Sequence, residues 1–328
     1  MKYIICFLTV FLICSQTTFA QDVHYTRFYD APLHLNPARA GDYLGTFKIG
    51  GIFRDQNYNL SNVYVTPDAY VDAPLFRGFA KSHWVGLGVN FLQDEAGVGG
   101  LKTSAITGAL AYHIGNKDMS NSVSIGVSVG YTNRSVSDKA KFIFEEFLIS
   151  GASTDANKIT DQPIKYYDIS AGVQVNMTVA ESGNMKAGLS LGHLNNPKYS
   201  LLSGGNRLPL RTTLYLTLDA PVSERFNVLP AAYASMMRGN RDIALQMAGA
   251  IKINPLKNFR LIAGVGYRFS DAFQFLAGLD IKNTKLGLSY DLTHNPIKPT
   301  GGFEVSLSQV VMIYKKPKDN PVILCPRL

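Results

Sequence analysis

The sequence predicts an all-β fold, an antiparallel up-and-down transmembrane β-barrel of about fourteen strands in a bacterial cell outer membrane. Three observations support this prediction. The chain starts with the pattern of an export signal, and apolar and polar residues then alternate with a period of two over most of its length. After the signal, no run of about 18 consecutive apolar residues could form a membrane-spanning helix.

The first twenty residues resemble a secretory signal. A short basic start precedes an apolar run over 3–13, and Thr18-Phe19-Ala20 then resembles a small-x-small cleavage site. We therefore expect a signal peptide over residues 1–20. Two of the three cysteines, Cys6 and Cys14, would leave with it, so only Cys325 would remain. A mature chain without an intrachain disulfide must be held together by burial and backbone pairing.

Charge and composition argue against several classes of partner. The chain has 32 Lys and Arg against 24 Asp and Glu, a formal net charge of +8, but the basic residues are scattered. One cluster, Lys315, Lys316 and Lys318, lies near the end. Because there is no basic stripe and no recognisable recognition module, we expect no nucleic-acid partner. The six histidines have no metal-site spacing, so the sequence predicts no metal and no cofactor.

The alternation separates one apolar face from one small polar face. It is clearest over 122–133, and successive side chains of a strand point to opposite faces. The apolar face, which we expect to meet lipid, holds Val123, Ile125, Val127, Val129 and Tyr131. The inward face holds Ser122, Ser124, Gly126, Ser128, Gly130 and Thr132.

Fourteen segments show this pattern within a barrel domain spanning 43–315. They are 43–55, 61–72, 83–93, 101–114, 122–133, 164–180, 184–195, 208–220, 224–237, 241–253, 257–269, 272–282, 284–294 and 302–315. An even number lets the barrel close with both chain ends on the periplasmic side, where joints should be short. The only long joint, 134–163, then falls outside the cell, whereas the joints near 239 and 271 are short for external loops.

Charged residues of both signs fall on the inward face. They are Asp168, Lys186, Arg211, Asp219, Asp242, Lys252, Arg260, Arg268, Lys285, Asp291 and Glu304. The mixed signs favour a cross-bridged interior over a pore lining, although either remains open. Aromatic residues at segment ends predict an interfacial girdle. They are Tyr43, Phe53, Trp84, Tyr112, Tyr131, Tyr167, Tyr267 and Tyr290.

Three segments break the alternation. The segment 21–42 is rich in aromatic residues, and Pro32 and Pro37 forbid a regular strand or helix through it. We expect this segment to plug the barrel or to bind a partner on the periplasmic side. The other two segments are the long joint and a periplasmic tail over 316–328. The candidate partner-binding or plug residues are Tyr25, Phe28, Tyr29, Asn36, Pro37, Phe142, Phe144 and Phe147.

One string could suggest an enzyme. Gly126-Val127-Ser128-Val129-Gly130 matches the G-x-S-x-G nucleophile elbow, which needs a sharp strand-to-helix turn. Ser128 instead lies in the middle of an alternating segment with no helix after it. We therefore predict no catalytic residues.

The sequence resembles the PorP/SprF family of the type IX secretion system, found in Bacteroidota. The matching residues, in chain order, are Gln21-Asp22, Tyr25, Phe28-Tyr29, Leu35-Asn36-Pro37-Ala38, Gly41, Arg54, Gln56, Asp72-Ala73-Pro74, Gly86-Leu87-Gly88, Asp94-Glu95-Ala96-Gly97, Gly287-Leu288-Ser289-Tyr290-Asp291, Gly301-Gly302-Phe303-Glu304 and Cys325-Pro326-Arg327. Asn57 departs from the pattern, which has an aromatic residue there. The N-terminal signature and the Gly-Leu-Ser-Tyr-Asp element are the specific parts.

The resemblance implies a non-enzymatic outer-membrane barrel that helps to secrete or retain cargo at the cell surface. In this family the cargo typically carries a type B C-terminal domain, as gliding adhesins do, and some members contact periplasmic parts of the secretion or gliding motility machinery. The residue pattern alone leaves two alternatives, a passive channel for small solutes and a soluble β-sandwich with its apolar faces turned inward.

Overall fold

The computed structural model describes residues 23–56, 64–79, 82–97, 99–116, 120–137, 162–179, 183–199, 206–254, 259–294 and 301–313. Within these residues, fourteen strands form a closed barrel. The strands are β1 Phe47–Gln56, β2 Tyr64–Phe79, β3 His83–Ala96, β4 Leu101–Gly115, β5 Ser122–Val136, β6 Ile164–Val179, β7 Gly183–Gly192, β8 Arg211–Pro221, β9 Phe226–Met237, β10 Asn240–Asn254, β11 Phe259–Arg268, β12 Ala272–Ile281, β13 Thr284–Thr293 and β14 Gly301–Val311.

Each strand pairs antiparallel with its sequence neighbours, and β1 closes the barrel against β14. That closing pair runs from Phe47 opposite Val311 to Gln56 opposite Gly302. The predicted fold class and strand number are therefore confirmed. No helix among the described residues has the length and apolar character needed to cross a membrane.

The connections differ between the two ends of the barrel. At one end, the loop rim, lie connections 57–63, 97–100, 137–163, 193–210, 238–239, 269–271 and 294–300. At the other end, the turn rim, the connections are short, and β1 begins and β14 ends there. The expectation of a single long joint was wrong, because 193–210 is long too. His193 takes a left-handed backbone conformation (φ 59°) that ends β7 before residue 195, where the sequence predicted the strand to stop.

The two faces of the wall follow the predicted alternation. On β5, Val127 and Val129 are 49% and 53% exposed on the outer surface, whereas Ser124 and Ser128 are 1% and 6% exposed on the inner face. In a bilayer the exposed apolar side chains meet lipid, so the outer surface is suited to a membrane.

Two residues of the predicted aromatic girdle lie inside the barrel instead. Trp84 is 1% exposed and stacks on His113 with ring centroids 4.6 Å apart. Tyr43 precedes β1, and its hydroxyl donates to the Asp72 carbonyl oxygen on the inner side. Aromatic character alone does not fix the side of the wall. The side is fixed by the alternation along the strand, and Trp84 occupies one of the inward-facing positions of β3.

Candidate functional site

The interior of the barrel holds residues 23–42, which we call the inner segment. It contains a 3-10 helix at Phe28–Asp30, a short helix α1 at Pro32–Leu35 and a second 3-10 helix at Pro37–Arg39. Each proline is the first residue of its helical turn, a position where the missing N–H removes no hydrogen bond. The segment therefore accommodates both prolines without forming a long helix.

The inner segment runs along the barrel axis. Near Thr26 it contacts Asp291 and Glu304, close to the loop-rim ends of β13 and β14. Near Asp42 it contacts Lys186, close to the turn-rim end of β7. The chain thus descends from the loop rim to the turn rim before it enters β1.

The sequence-predicted candidates divide into two groups. Tyr25, Phe28, Asn36 and Pro37 are buried inside the barrel, and Tyr29 is partly buried there. These side chains contact the barrel wall and one another, so they are not presented on an outer surface. The remaining candidates, Phe142, Phe144 and Phe147, lie outside the described residues.

Aromatic side chains anchor the inner segment to the wall. Phe28 packs with Leu35 and Tyr215, and its ring centroid lies 5.1 Å from that of Tyr233. Burial raises the pKa of Tyr29, beside Phe28, to about 12 despite the nearby positive charge of Arg27. The Tyr29 hydroxyl is therefore neutral at physiological pH.

Thr26 is bound on several sides by polar groups of the wall. Its backbone N–H donates to Glu304 Oε1 at 2.6 Å and its hydroxyl donates to Asp291 Oδ1 at 2.6 Å. Gln246 Nε2 donates to the Thr26 carbonyl oxygen at 2.8 Å, and Arg268 Nη2 donates to the Thr26 hydroxyl oxygen at 2.8 Å. One small residue thereby joins β10, β11, β13 and β14.

The two carboxylates that contact Thr26 are each paired with an arginine. Arg54 pairs with Glu304 and, at 3.1 Å, with Asp291, while Arg268 Nη1 lies 3.1 Å from Asp291. All four residues are at most 3% exposed. A buried charge without its partner is destabilised by several kcal/mol. This cluster therefore holds these wall strands and the inner segment in one arrangement.

Asn36 connects the inner segment to two neighbouring strands. Its amide nitrogen donates to the carbonyl oxygens of Val173 at 3.0 Å and Leu189 at 3.2 Å. The wall is hollowed at this level by glycine. A methyl group on Gly172 would overlap the Asn36 side chain, and one on Gly126 would overlap the backbone at Ala38. The inward glycines thus allow the two backbones to approach closely.

Near the turn rim, the wall binds the backbone of the inner segment. Gly41 N–H donates to Asp72 Oδ2 at 2.7 Å, and Trp84 Nε1 donates to the Gly41 carbonyl oxygen at 3.0 Å. His113 Nε2 lies 2.7 Å from the Ala40 carbonyl oxygen. Gly41 has a φ of +69°, which glycine adopts without strain. These contacts fix the last bend before β1.

Asp42 forms the lowest anchor of the segment. Burial opposes its ionisation, but Lys186 Nζ at 2.5 Å and Gln174 Nε2 at 2.7 Å from its carboxylate outweigh that effect. The pKa of Asp42 is therefore held below its usual range. Its carboxylate is ionised at neutral pH and pairs with Lys186.

The inner segment leaves space towards both rims. Towards the loop rim, a cavity of about 290 Å³ is lined by Ser, Thr and charged side chains, including Ser128, Asp168 and Arg134, and by apolar side chains such as Leu92 and Met237. Towards the turn rim, a cavity of about 430 Å³ lies between the inner segment and the barrel wall formed by β1, β2 and β7 to β14. Among the residues that the structure describes, no group of three His, Cys, Asp or Glu side chains could hold a metal ion.

A family comparison identifies the kind of protein that this interior belongs to. The model of the type IX secretion system membrane protein PorP/SprF matches residues 17–308. The chain belongs to this family. The family is one of type IX secretion system membrane proteins, and the closed barrel with its apolar outer surface belongs in the outer membrane. Among curated proteins, no sequence matches the chain.

Solved structures resemble this PorP/SprF barrel in fold. The crystal structure of the P. putida toluene transporter TodX has a TM-score of 0.52 and 10% identity, covering 85% of this chain and 93% of that one. The CymD monoaromatic hydrocarbon channel has a TM-score of 0.51 and 10% identity, covering 87% and 93%. At such identity the likeness concerns the barrel architecture alone.

Sequence reasoning found part of this PorP/SprF interior and missed the rest. Asp291, Glu304 and Arg268 were predicted to point inward, and they do. Thr26 and Asp42 were missed because short polar residues in an irregular segment carry no periodic signal. A usable signal was present in the wall, where Gly86 and Gly126 leave inward gaps on nearby strands.

Proposed function

We propose that this barrel helps to secrete a type IX cargo protein, one with a type B C-terminal domain such as an adhesin, or retains it at the cell surface. Membership of the PorP/SprF family supports the proposal. The loop rim would face outward, because external loops of outer-membrane barrels are longer than periplasmic turns. The two long connections, 137–163 and 193–210, would then meet the cargo.

The observation that carries the proposal is the occupied lumen. The inner segment hydrogen-bonds to wall strands around the barrel, including β1, β2, β6, β7, β13 and β14. A barrel whose lumen is filled in this way is suited to be a rigid binding platform for a partner protein. In this proposal the inner segment is a plug, and the turn rim with residues 316–328 faces the periplasmic secretion or gliding machinery.

Deletion of the gene tests the cargo role directly. We expect the deletion strain to lose a surface protein that either accumulates inside the cell or is released into the medium. Surface labelling and proteomics of the medium measure this loss. Unchanged surface cargo in the deletion strain would contradict the proposal.

Complementation then tests the loop rim. A variant with Phe142→Ser, Phe144→Ser and Phe147→Ser should insert into the outer membrane and fail to restore surface cargo. The matched control changes Asp155, Asn157 and Lys158 to Ser in the same connection and should restore it. Equal restoration by both variants would move the cargo contact away from these aromatic residues.

The alternative is a passive channel for small solutes. The polar inner face and the cavities near both rims favour it. Planar-bilayer conductance separates the two functions. We expect the folded barrel to show no steady conductance, whereas a sustained ion current at low voltage would support the channel and contradict the plug.

A further inference from the structure

The cavity at the turn rim combines an apolar wall with a charged mouth. Leu229, Ala248, Ile262 and Leu276 line it from four adjacent strands, β9 to β12. Ligand cavities commonly pair such apolar surface with a few charged groups, and a volume of about 430 Å³ suits a small molecule or a peptide end. The charged groups around the cavity determine which ligand chemistry it can bind.

The cations around this cavity have unequal access to carboxylates. Lys48 Nζ lies 3.5 Å from Asp72 and Lys186 Nζ lies 2.5 Å from Asp42. Arg260 bridges two carboxylates of the wall, Asp219 and Asp280. These cations are already paired within the protein.

Arg39 is different. Among the residues that the structure describes, no carboxylate lies within ion-pair distance of its guanidinium, and its Nη1 atom is buried without a hydrogen-bond partner. The guanidinium carbon lies 5.5 Å from the ring centroid of Tyr215, a contact that orients the group but satisfies no N–H. A buried N–H that makes no hydrogen bond is destabilising. An anion in the cavity would satisfy it.

A second cation, Lys285, lies at the mouth of the same cavity, opposite Asp280 on β12 and near enough to Asp219 to attract it. Lys285 is exposed at the turn-rim start of β13 and makes no ion pair with any described residue. Lys186 is near enough to both Arg39 and Lys285 to be repelled by each. The cavity therefore offers one inner and one outer positive charge on a path from the turn rim.

We propose that the turn-rim cavity binds a carboxylate attached to an apolar body, as at the end of a peptide with an apolar side chain, entering from the turn rim. The planar fork of Arg39 matches the two oxygens of a carboxylate. The apolar wall formed by Leu229, Ile262 and Leu276 takes the body. It also disfavours a doubly charged phosphate, because removing a dianion from water is more unfavourable than removing a monoanion.

The single tryptophan provides the readout. Trp84 donates to the Gly41 carbonyl oxygen, one residue before Asp42, which lines the cavity. Detergent-solubilised full-length protein is titrated with N-acetyl-leucine at constant ionic strength, and tryptophan fluorescence and calorimetry follow binding. N-acetyl-leucine amide, acetate and inorganic phosphate are titrated in parallel. The amide lacks the carboxylate, acetate lacks the apolar body, and phosphate replaces the carboxylate with another anion.

We expect saturable binding of N-acetyl-leucine and at least tenfold weaker binding of the other three probes. Arg39→Gln should weaken N-acetyl-leucine binding about tenfold or more, since a hydrogen bond to a charged group is lost. Lys102→Gln, the same change at the loop-rim end of β4, should leave binding unaltered. If Arg39→Gln does not fold, Lys285→Gln at the exposed mouth serves instead, with a smaller expected loss.

Several outcomes would overturn the inference. Equal binding of the amide would remove the carboxylate requirement, equal binding of phosphate would make the site a general anion site, and unchanged affinity in Arg39→Gln would move the ligand elsewhere. The inference goes beyond the cargo role and concerns the opposite rim. Loss of binding in Arg39→Gln with normal surface cargo would therefore separate the two.

Discussion

Thr26 donates its hydroxyl to Asp291, at 2.6 Å, across 265 positions of sequence. The same hydroxyl oxygen accepts from Arg268 at 2.8 Å and from Arg54 at 3.2 Å. A residue of the inner segment therefore completes a charge cluster that belongs otherwise to the wall. Because the cluster and the inner segment share these hydrogen bonds, a substitution that weakens one should also destabilise the other.

Thr26→Val tests this relationship. Valine keeps the shape of threonine but cannot donate to Asp291 or accept from the two arginines. We expect the free energy of unfolding to fall by about 1–3 kcal/mol and the inner segment to become more accessible to protease. The first effect is measured by incubating the protein at increasing temperatures and separating folded from unfolded barrel by electrophoresis without boiling the samples. Thr132→Val, on the inner face of β5 beside the loop-rim cavity, is the control and should behave like the wild type.

Gly126→Ala tests the close approach between wall and inner segment. The added methyl group would overlap the backbone at Ala38, so the segment or the wall must shift, at a cost of about 1–3 kcal/mol. Gly108→Ala on the neighbouring strand is the matched control, since a methyl group there meets nothing within 4 Å. We expect a lower melting temperature for Gly126→Ala alone. Equal melting temperatures would mean that the segment does not press on the wall.

The wall was predictable from sequence because its signal is local. Each strand must present apolar residues to lipid and small or polar ones inward, so a period of two marks it. Errors occur at strand ends, where the period says little. Strand β8 was expected from residue 208 but begins at Arg211, because Pro209 has no N–H for the ladder. Strand β2 extends to Phe79, past a register shift that no alternation marks.

The interior was less predictable because its contacts are distant in sequence. Asn36 could be chosen as a candidate, but its hydrogen bonds reach Val173 and Leu189, more than a hundred positions away. The family resemblance pointed to the N-terminal signature without giving its partners. Only the closed barrel brings residues of the signature, such as Asn36 and Gly41, against the wall that binds them.

The pairing of Asp42 with Lys186 predicts an acid limit to docking of the inner segment. The pKa of Asp42 is lowered in the folded protein, so its contribution to stability is fully present above the pKa of an unfolded aspartate, about 3.9. That contribution is lost as the pH falls through the lower folded pKa. Protease accessibility of the inner segment from pH 6 to pH 2 should rise across this window. Asp42→Asn should show weaker docking already at pH 7 and a flatter acid response, whereas Asp55→Asn, near the loop-rim end of β1, should keep the wild-type profile.

Adjacent positions on β4 test which face of the wall meets lipid. Ile106 is 56% exposed on the outer surface, whereas Thr107 lines the cavity towards the loop rim. Ile106→Lys should destabilise the folded barrel in lipid vesicles by up to about 2–4 kcal/mol, depending on its depth, because the ammonium would lie in hydrocarbon. Thr107→Lys places the same charge in a cavity that also holds Asp94 and Asp168, away from lipid, and should have a much smaller effect. Folding yield in vesicles against urea concentration measures both variants, and a larger loss for Thr107→Lys would reverse the assignment of the two faces.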